Sequence, residues 1–319
     1  MNYVPFQEQY IDDAIMLWNK QWQHEFPLRK ELFIQNSVDD VNIYPQGCFA
    51  AIDKEGILKG FVIAKKWQEQ VDVKMDTRRG WIQVIIVDEA IQRQGIGTKL
   101  LELAEDALQQ VGIEEIQLGG DPFHYFAGIP STSTAAQAMA EKFGYVKRID
   151  THDLVNHLSK EYAMPAGEHL EYTLLQPDEQ QDLYEFFARC FPGRWEYEAM
   201  KYFELGGQGR EFVVLKKHGR IIGFCRINDD DSPMIAQNVY WRTLFPHAVG
   251  GIGPLGIDEK EQKQGYGLAI VQAGMAFLQQ RKMETIIIDW TNLVEFYEKL
   301  DFNVWKTYGI YLKDVTKEK

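Results

Sequence analysis

Apolar residues recur along this chain with alternating strand and helix periods, in the same order in each half. Tyr3-Val4-Pro5-Phe6 reads as a short strand, and Ile11, Ala14, Ile15, Leu17 and Trp18 then fall at helical spacing over about 8–22. A second helix is expected over 29–36. Residues 48–52, a turn at 53–56 and 57–63 have the pattern of a hairpin. An apolar, β-branched strand follows over 80–87, then a helix over 95–110 that Gly112 stops, and a strand over 113–118. An aromatic loop spans 119–130. A helix over 135–143 comes next, and Gly144-Tyr145-Val146 begins the closing strands.

The second half repeats this order. It has a strand over 170–175, a helix from Pro177-Asp178 to about 190, a break at Pro192-Gly193 and a helix over 196–203. A hairpin joins 212–216 to 221–227, and a strand covers 250–257. A helix to about 281, a strand over 285–289, a helix over 293–300 and closing strands over 302–312 complete it. Each half reads β, α, α, β, β, β, α, β, α, β, β, an α/β arrangement with a mixed sheet and helices on both faces. Periodicity lapses over 159–168, around Met164-Pro165-Ala166-Gly167, so the expected domains are 1–160 and 168–319.

The repeat extends to a motif. In the first half a strand ending at Val87 leads through Gln92-Arg93-Gln94-Gly95-Ile96-Gly97 into a helix. In the second, a strand ending at Ile257 leads through Gln262-Lys263-Gln264-Gly265-Tyr266-Gly267 into another, about 170 residues later. Glycines permit close backbone approach and left-handed dihedrals, and the free N–H groups of a helix start favour an anion. A tight turn explains one Gly-x-Gly before a helix. The fuller Gln-x-x-Gly-x-Gly after a strand, present twice, resembles the acetyl-coenzyme A loop of the GNAT superfamily of N-acetyltransferases. The resemblance covers nearly the whole chain. It implies two tandem GNAT domains, acetyl-coenzyme A as co-substrate without a metal, and coenzyme contacts at all these loop residues and at Val87 and Ile257.

The copies differ around the loop. In the family the strand before it is splayed from its neighbour and admits the pantetheine arm. The second copy is glycine-rich there, with Gly250, Gly251, Gly253, Gly256 and Pro254, which marks a close backbone approach or a loose edge strand. The run from Trp81 to Val87 has no such weakness. Asn292-Leu293-Val294-Glu295-Phe296-Tyr297-Glu298-Lys299-Leu300-Asp301-Phe302 resembles the GNAT segment Asn-x-x-x-x-Phe-Tyr-x-Lys-x-Gly-Phe, with Asp301 in place of glycine. The resemblance puts Asn292 beside the coenzyme and makes Tyr297 the acid that protonates the departing thiolate. A helix cap at Asn292 and a packed ring at Tyr297 are the competing readings. In the first copy Ala140 stands where Tyr297 would be, and the loop carrying His124 and Tyr125 is either a substrate wall, an alternative site or packing. No general base is evident; Asp289 and Glu295 lie near in sequence and read as solvated, and a water relay is equally open.

Composition narrows the class. At 319 residues, 45% hydrophobic and 13% aromatic, the chain can bury two cores. No apolar run reaches ~18 residues and Met1 to Glu8 lacks the regions of a signal peptide. Cys48, Cys190 and Cys225 have no metal or disulfide spacing and read as free thiols in a cytoplasmic protein. A net charge of −13 argues against nucleic acid and anionic membrane, and suits an amine acceptor, either a small molecule or a peptide. The expected protein is an acetyl-coenzyme A-dependent N-acetyltransferase with its chemistry in the second domain. The alternatives are catalysis in the first domain through the 119–130 loop, or a coenzyme A-binding sensor without turnover.

Overall fold

The computed structural model describes residues 1–316. The first half runs β1 (Asn2–Pro5), α1 (Ile11–Trp22), α2 (Lys30–Ser37), β2 (Phe49–Ile52), β3 (Leu58–Lys66), β4 (Arg79–Val87), α3 (Ile96–Gln110), β5 (Glu115–Leu118), β6 (Ile129–Pro130), α4 (Thr134–Lys142) and β7 (Val146–His157). The second runs β8 (Leu170–Leu174), α5 (Gln180–Cys190), α6 (Arg194–Glu204), β9 (Phe212–Lys217), β10 (Arg220–Asn228), β11 (Val249–Ile257), α7 (Tyr266–Gln280), β12 (Thr285–Thr291), α8 (Val294–Glu298) and β13 (Asn303–Asp314). The order is the expected one, except that the short strand β6 ends the expected 119–130 loop and one long strand closes each half where two short ones were expected. Among the described residues no helix is long and apolar enough to cross a membrane.

Two compact units form. The first takes Met1–Val71, Asp76–Thr151 and the chain from Thr307 onward; the second takes Asp72–Met75 and His152–Lys306. These bounds depart from 1–160 and 168–319 at the closing strands. The end of β7 pairs with β12 within the second unit, Ile286↔Asn156 and Ile288↔Leu154, and the end of β13 pairs with β5 within the first, Tyr311↔Leu118 and Lys313↔Ile116. Periodicity marks a segment as a strand but carries no information about its non-local partner.

In each unit the sheet has one parallel pair among antiparallel neighbours. β4 and β5 form it in the first unit, β11 and β12 in the second. The helix after each glycine loop packs on the strand that leads into the loop and on its antiparallel neighbour, α3 on β4 and β3, α7 on β11 and β10. α3 buries Leu100, Leu101, Ala104, Ala107 and Leu108 along one stripe, and α7 buries Ile270, Val271, Ala273, Met275 and Leu278. Each large apolar side chain so buried contributes about 1.5–3 kcal/mol. Gly274 lets α7 settle on β10, since a Cβ there would lie 3.1 Å from Ile227 and 3.3 Å from Cys225. The opposite face of the second unit's sheet carries α5 and α6, where Phe186, Phe187 and Phe224 pack together.

Candidate functional site

The two glycine loops have the same local geometry. Gly95 and Gly265 cap their helices at φ +83° and +82°, and Arg93 and Lys263 both sit at φ +63°. Gln92 Nε2 donates to Val87 O at 3.1 Å, and Gln262 Nε2 to Ile257 O at 3.2 Å. The Asp88 and Asp258 carboxylates each accept from a backbone N–H two residues on, at 3.1 Å. These bonds fold the loop so that it turns into the helix at Gly95 or Gly265. The first helical bonds are Lys99 N–H to Gly95 O and Ala269 N–H to Gly265 O, so the N–H groups of 96–98 and 266–268 precede the ladder. A Cβ on Gly95 or Gly265 would meet no protein atom within 4 Å, which leaves open ground before each helix start. Both loops fit a diphosphate, with exposed Arg93 and Lys263 beside it.

The strands in front of the loops part at equivalent rungs. β4 and β5 pair from Arg79↔Glu115 to Ile82↔Leu118, and β11 and β12 from Val249↔Thr285 to Ile252↔Ile288. The first copy thus opens as well, although its run from Trp81 to Val87 carries no glycine. In the first unit the opening comes from the end of β5, where Gly119 and Gly120 take φ +72° and +68° and turn the chain away. The glycines of β11 serve packing instead: a Cβ would lie 2.9 Å from Leu278 at Gly250, and would overlap Asn238 at Gly251 and the Phe191 ring at Gly256.

The first open rung of the second unit pairs Gly253 with Asp289. Ile286 and Ile288 face the α7 core, whereas Ile287 packs with Ala236, Val239 and Val249 on the other face. Asp289 and Trp290 stand opposite the single residue Asp153 in the β7–β12 ladder, since the register steps from Ile288↔Leu154 to Thr291↔His152. This bulge takes Trp290 to φ +46°, donates its N–H to Asp153 Oδ1 at 3.1 Å, and re-aims the side chains beside it. Asn238 Nδ2 donates to Asp289 Oδ1 at 3.1 Å. The Arg194 guanidinium lies 4.7 Å over the Trp290 ring and its Nε bonds Glu198 Oε1 at 2.8 Å. Arg226, buried on β10, stacks over Tyr202 and Phe212 at 5.6 and 5.8 Å, and its Nε and Nη2 meet no hydrogen-bond acceptor among the described residues. Burial, then repulsion from Asp153 and Glu198, pushes the Asp289 carboxyl up to about 7. The solvated reading of Asp289 is thus overturned: it sits half-buried among other charges.

Tyr297 is 5% exposed, packed among Ile252, Ile270 and Ile288, with its hydroxyl bonded to Thr291. Burial raises its phenol above the ordinary range, and Cys225 and Asp289 add to the effect, so it holds its proton firmly. Asn292 is exposed just before α8, whose cap is Leu293; the N–H of Leu293 is satisfied by Thr291 Oγ1 at 3.1 Å. Asn292 is therefore not the cap, and Glu295 is exposed. Asp301 takes φ +63° where the family pattern has glycine, matching Gly144 at φ +83° in the first unit. The Tyr145 N–H to Ala140 O bond mirrors Phe302 N–H to Tyr297 O, which aligns Ala140 with Tyr297 in space as in sequence.

In the first unit the loop after β5 folds inward. Phe123, His124, Tyr125 and Phe126 are all buried. Trp18 stacks on Phe126 at 5.5 Å and meets Tyr125 edge-on at 4.9 Å. Gln83, on the open rung, donates from Nε2 to Asn36 O and accepts from Ser37 Oγ, which also bonds the Tyr125 hydroxyl at 2.7 Å. Lys65, with no solvent exposure, joins Asp40 at 2.8 Å, Asp121 at 2.7 Å and Pro122 O at 2.9 Å. A buried ammonium with two carboxylates clamps the loop in place.

A mixed sheet that opens at its parallel pair, with a glycine-turned helix start beyond the opening, defines an acyl-coenzyme A N-acyltransferase domain, and here it occurs twice. The chain belongs to the acetyltransferase (GNAT) family, whose profile matches residues 8–145 and 180–302. It is 29% identical to N-alpha-acetyltransferase 30 of Dictyostelium discoideum over 119 residues, 37% of this chain and 58% of that one. It is 24% identical to a mycothiol acetyltransferase of Saccharomonospora viridis over 261 residues, 74% of this chain and 76% of that one. Among solved structures, a GCN5-related glucosamine N-acetyltransferase region of a fungal multi-domain GH3 β-N-acetylglucosaminidase superposes with a TM-score of 0.88 at 24% identity, over 98% of this chain and 38% of that one.

Proposed function

We propose that this protein is an acetyl-coenzyme A-dependent N-acetyltransferase whose chemistry occurs in the second unit. The observation that carries the reading is Asp289, a carboxylate held at about 7 on the open rung between β11 and β12. The coenzyme diphosphate would rest on the N–H groups of Gln262 to Gly267, and the acetyl-bearing arm would run into the strand opening past Gly253. A primary amine reaches the site as an ammonium ion. Asp289 takes a proton from it, and the freed lone pair attacks the thioester carbonyl carbon while a backbone N–H of the parted strand stabilises the developing oxyanion. The nitrogen, cationic after the attack, gives its second proton to solvent, and the C–S bond breaks with its electron pair on sulfur. The Tyr297 hydroxyl, which burial keeps protonated, donates a hydrogen bond to the departing sulfur and passes it a proton that solvent then replaces; its raised pKa keeps the proton in place until the thiolate forms and makes it no stronger an acid.

The first unit keeps the cradle from Gln92 to Gly97 and would hold a second coenzyme. Its acceptor side is filled by Phe123 to Phe126, and Ala140 replaces the tyrosine, which favours the second unit as the seat of transfer. Burial pushes the Cys48 thiol up to about 12 and raises Cys225, which suits free thiols in a reducing cytoplasm. The acceptor is a primary amine, borne by a small molecule or a peptide. Thiol release from acetyl-coenzyme A, followed across peptide α-amines, glucosamine and polyamines, tests the reading. Turnover with one of these amines supports it; coenzyme binding with no turnover on any would favour a sensor.

A further inference from the structure

Asn238 lies in the long connection between β10 and β11, where the chain has no regular period, yet it is only 3% exposed. Its neighbours Ala236 and Val239 anchor it by packing with Val249 and Ile287. Its amide joins three strands: Nδ2 donates to Asp289 Oδ1 at 3.1 Å and to Gly253 O at 3.4 Å, and Oδ1 accepts from Asn228 Nδ2 at 3.2 Å. A carboxylate and a carbonyl only accept, so the NH₂ end must face them and the orientation is fixed. Gly253 and Asp289 are the residues that would pair next if the ladder of β11 and β12 continued past Ile252↔Ile288. The Asn238 side chain occupies the place of that missing rung, and Gly251 lacks the Cβ that would overlap it.

We propose that Asn238 is the positioning residue of the acceptor site, fixing the Asp289 carboxylate and holding the strand opening at Gly253; this rests on the reading of Asp289 as proton acceptor. One carboxylate oxygen is engaged by the amide, and the other is left for the incoming proton. Donation to a carboxylate favours its ionised form. It therefore works against burial and against the negative charges of Asp153 on β7 and Glu198 on α6. Arg226 on β10 faces the same group with a positive charge, and the Tyr297 phenol on α8 faces it neutral. Removing the amide tilts the balance toward the protonated acid.

The test compares Asn238→Ala and the equal-sized Asn238→Asp with the unaltered chain and with Asp289→Asn, using acetyl-coenzyme A and the best primary amine. The acidic limb of kcat/KM should move up by about one pH unit in Asn238→Ala and further in Asn238→Asp. The turnover number should fall ~10-fold or more, with KM for acetyl-coenzyme A nearly unchanged. A carboxyl-carbon NMR titration of Asp289 should shift in the same direction, with no reliance on activity. An unmoved limb and an unmoved titration in folded variants would overturn the proposal, and so would loss of fold in both, which would mark Asn238 as packing alone. If Asp289→Asn keeps its turnover, the base assignment fails instead, and the titration still decides whether Asn238 holds the carboxylate.

Discussion

Replacing Asp289 by Asn should weaken catalysis and strengthen the fold at once. The amide has the same shape and can still accept from Asn238, so packing is retained. A carboxyl raised from its ordinary ~3.9 to about 7 favours folding fully below pH ~4, and that stability is lost as pH rises through 7. Above that point the native state must hold an ionised group that burial and two neighbouring carboxylates oppose. The displacement corresponds to roughly 4 kcal/mol as a ceiling, reduced because the side chain is only half-buried. Thermal melts at pH 4, 6 and 8 should therefore show the variant and the unaltered chain diverging with pH, the variant melting several degrees higher at pH 8. Thiol release should fall by ~10²–10⁴. A variant that melts lower at pH 8, or turns over at the normal rate, would refute both the charge balance and the role drawn from it.

Three further substitutions probe other parts of the account. Tyr297→Phe keeps the ring in its apolar nest and should cut turnover by ~10²–10³ with little change in coenzyme affinity by calorimetry; near-normal turnover would reduce Tyr297 to packing. Lys65→Met removes the buried ammonium from between Asp40 and Asp121, and denaturant melts should show a loss of roughly 3–5 kcal/mol. Gly251→Ala puts a Cβ on Asn238, so it should destabilise the second unit by about 1–3 kcal/mol and depress turnover beyond what that loss explains.

Most of the elements could be read from the sequence because amphipathic period is local information. The helix expected over 95–110 is Ile96–Gln110, and the one ending near 281 is Tyr266–Gln280. The doubled loop motif carried the cradles, whose glycines and glutamines take up matching dihedrals and bonds. The exchange of the ends of β7 and β13 was hidden, since strand partners are chosen by non-local packing. The opening in the first unit has a local signal, the Gly119-Gly120 pair directly after Leu118. Asp289 looked solvated because a bulge re-aims it, and a bulge depends on the register with Asp153 across the sheet. Asn238 had no local signal. Its importance arises only where two distant strands part.

Paired cradle variants decide whether acetyl transfer is carried out by the second unit. Gly95 and Gly265 both stand at positive φ facing open ground, so valine at either is strained and places its branches where a phosphate would lie. Thiol release with the best primary amine should be lost in Gly265→Val and largely kept in Gly95→Val, while calorimetry shows each variant losing its own coenzyme site. Turnover that survives Gly265→Val and disappears in Gly95→Val would move the chemistry to the first unit and contradict the account.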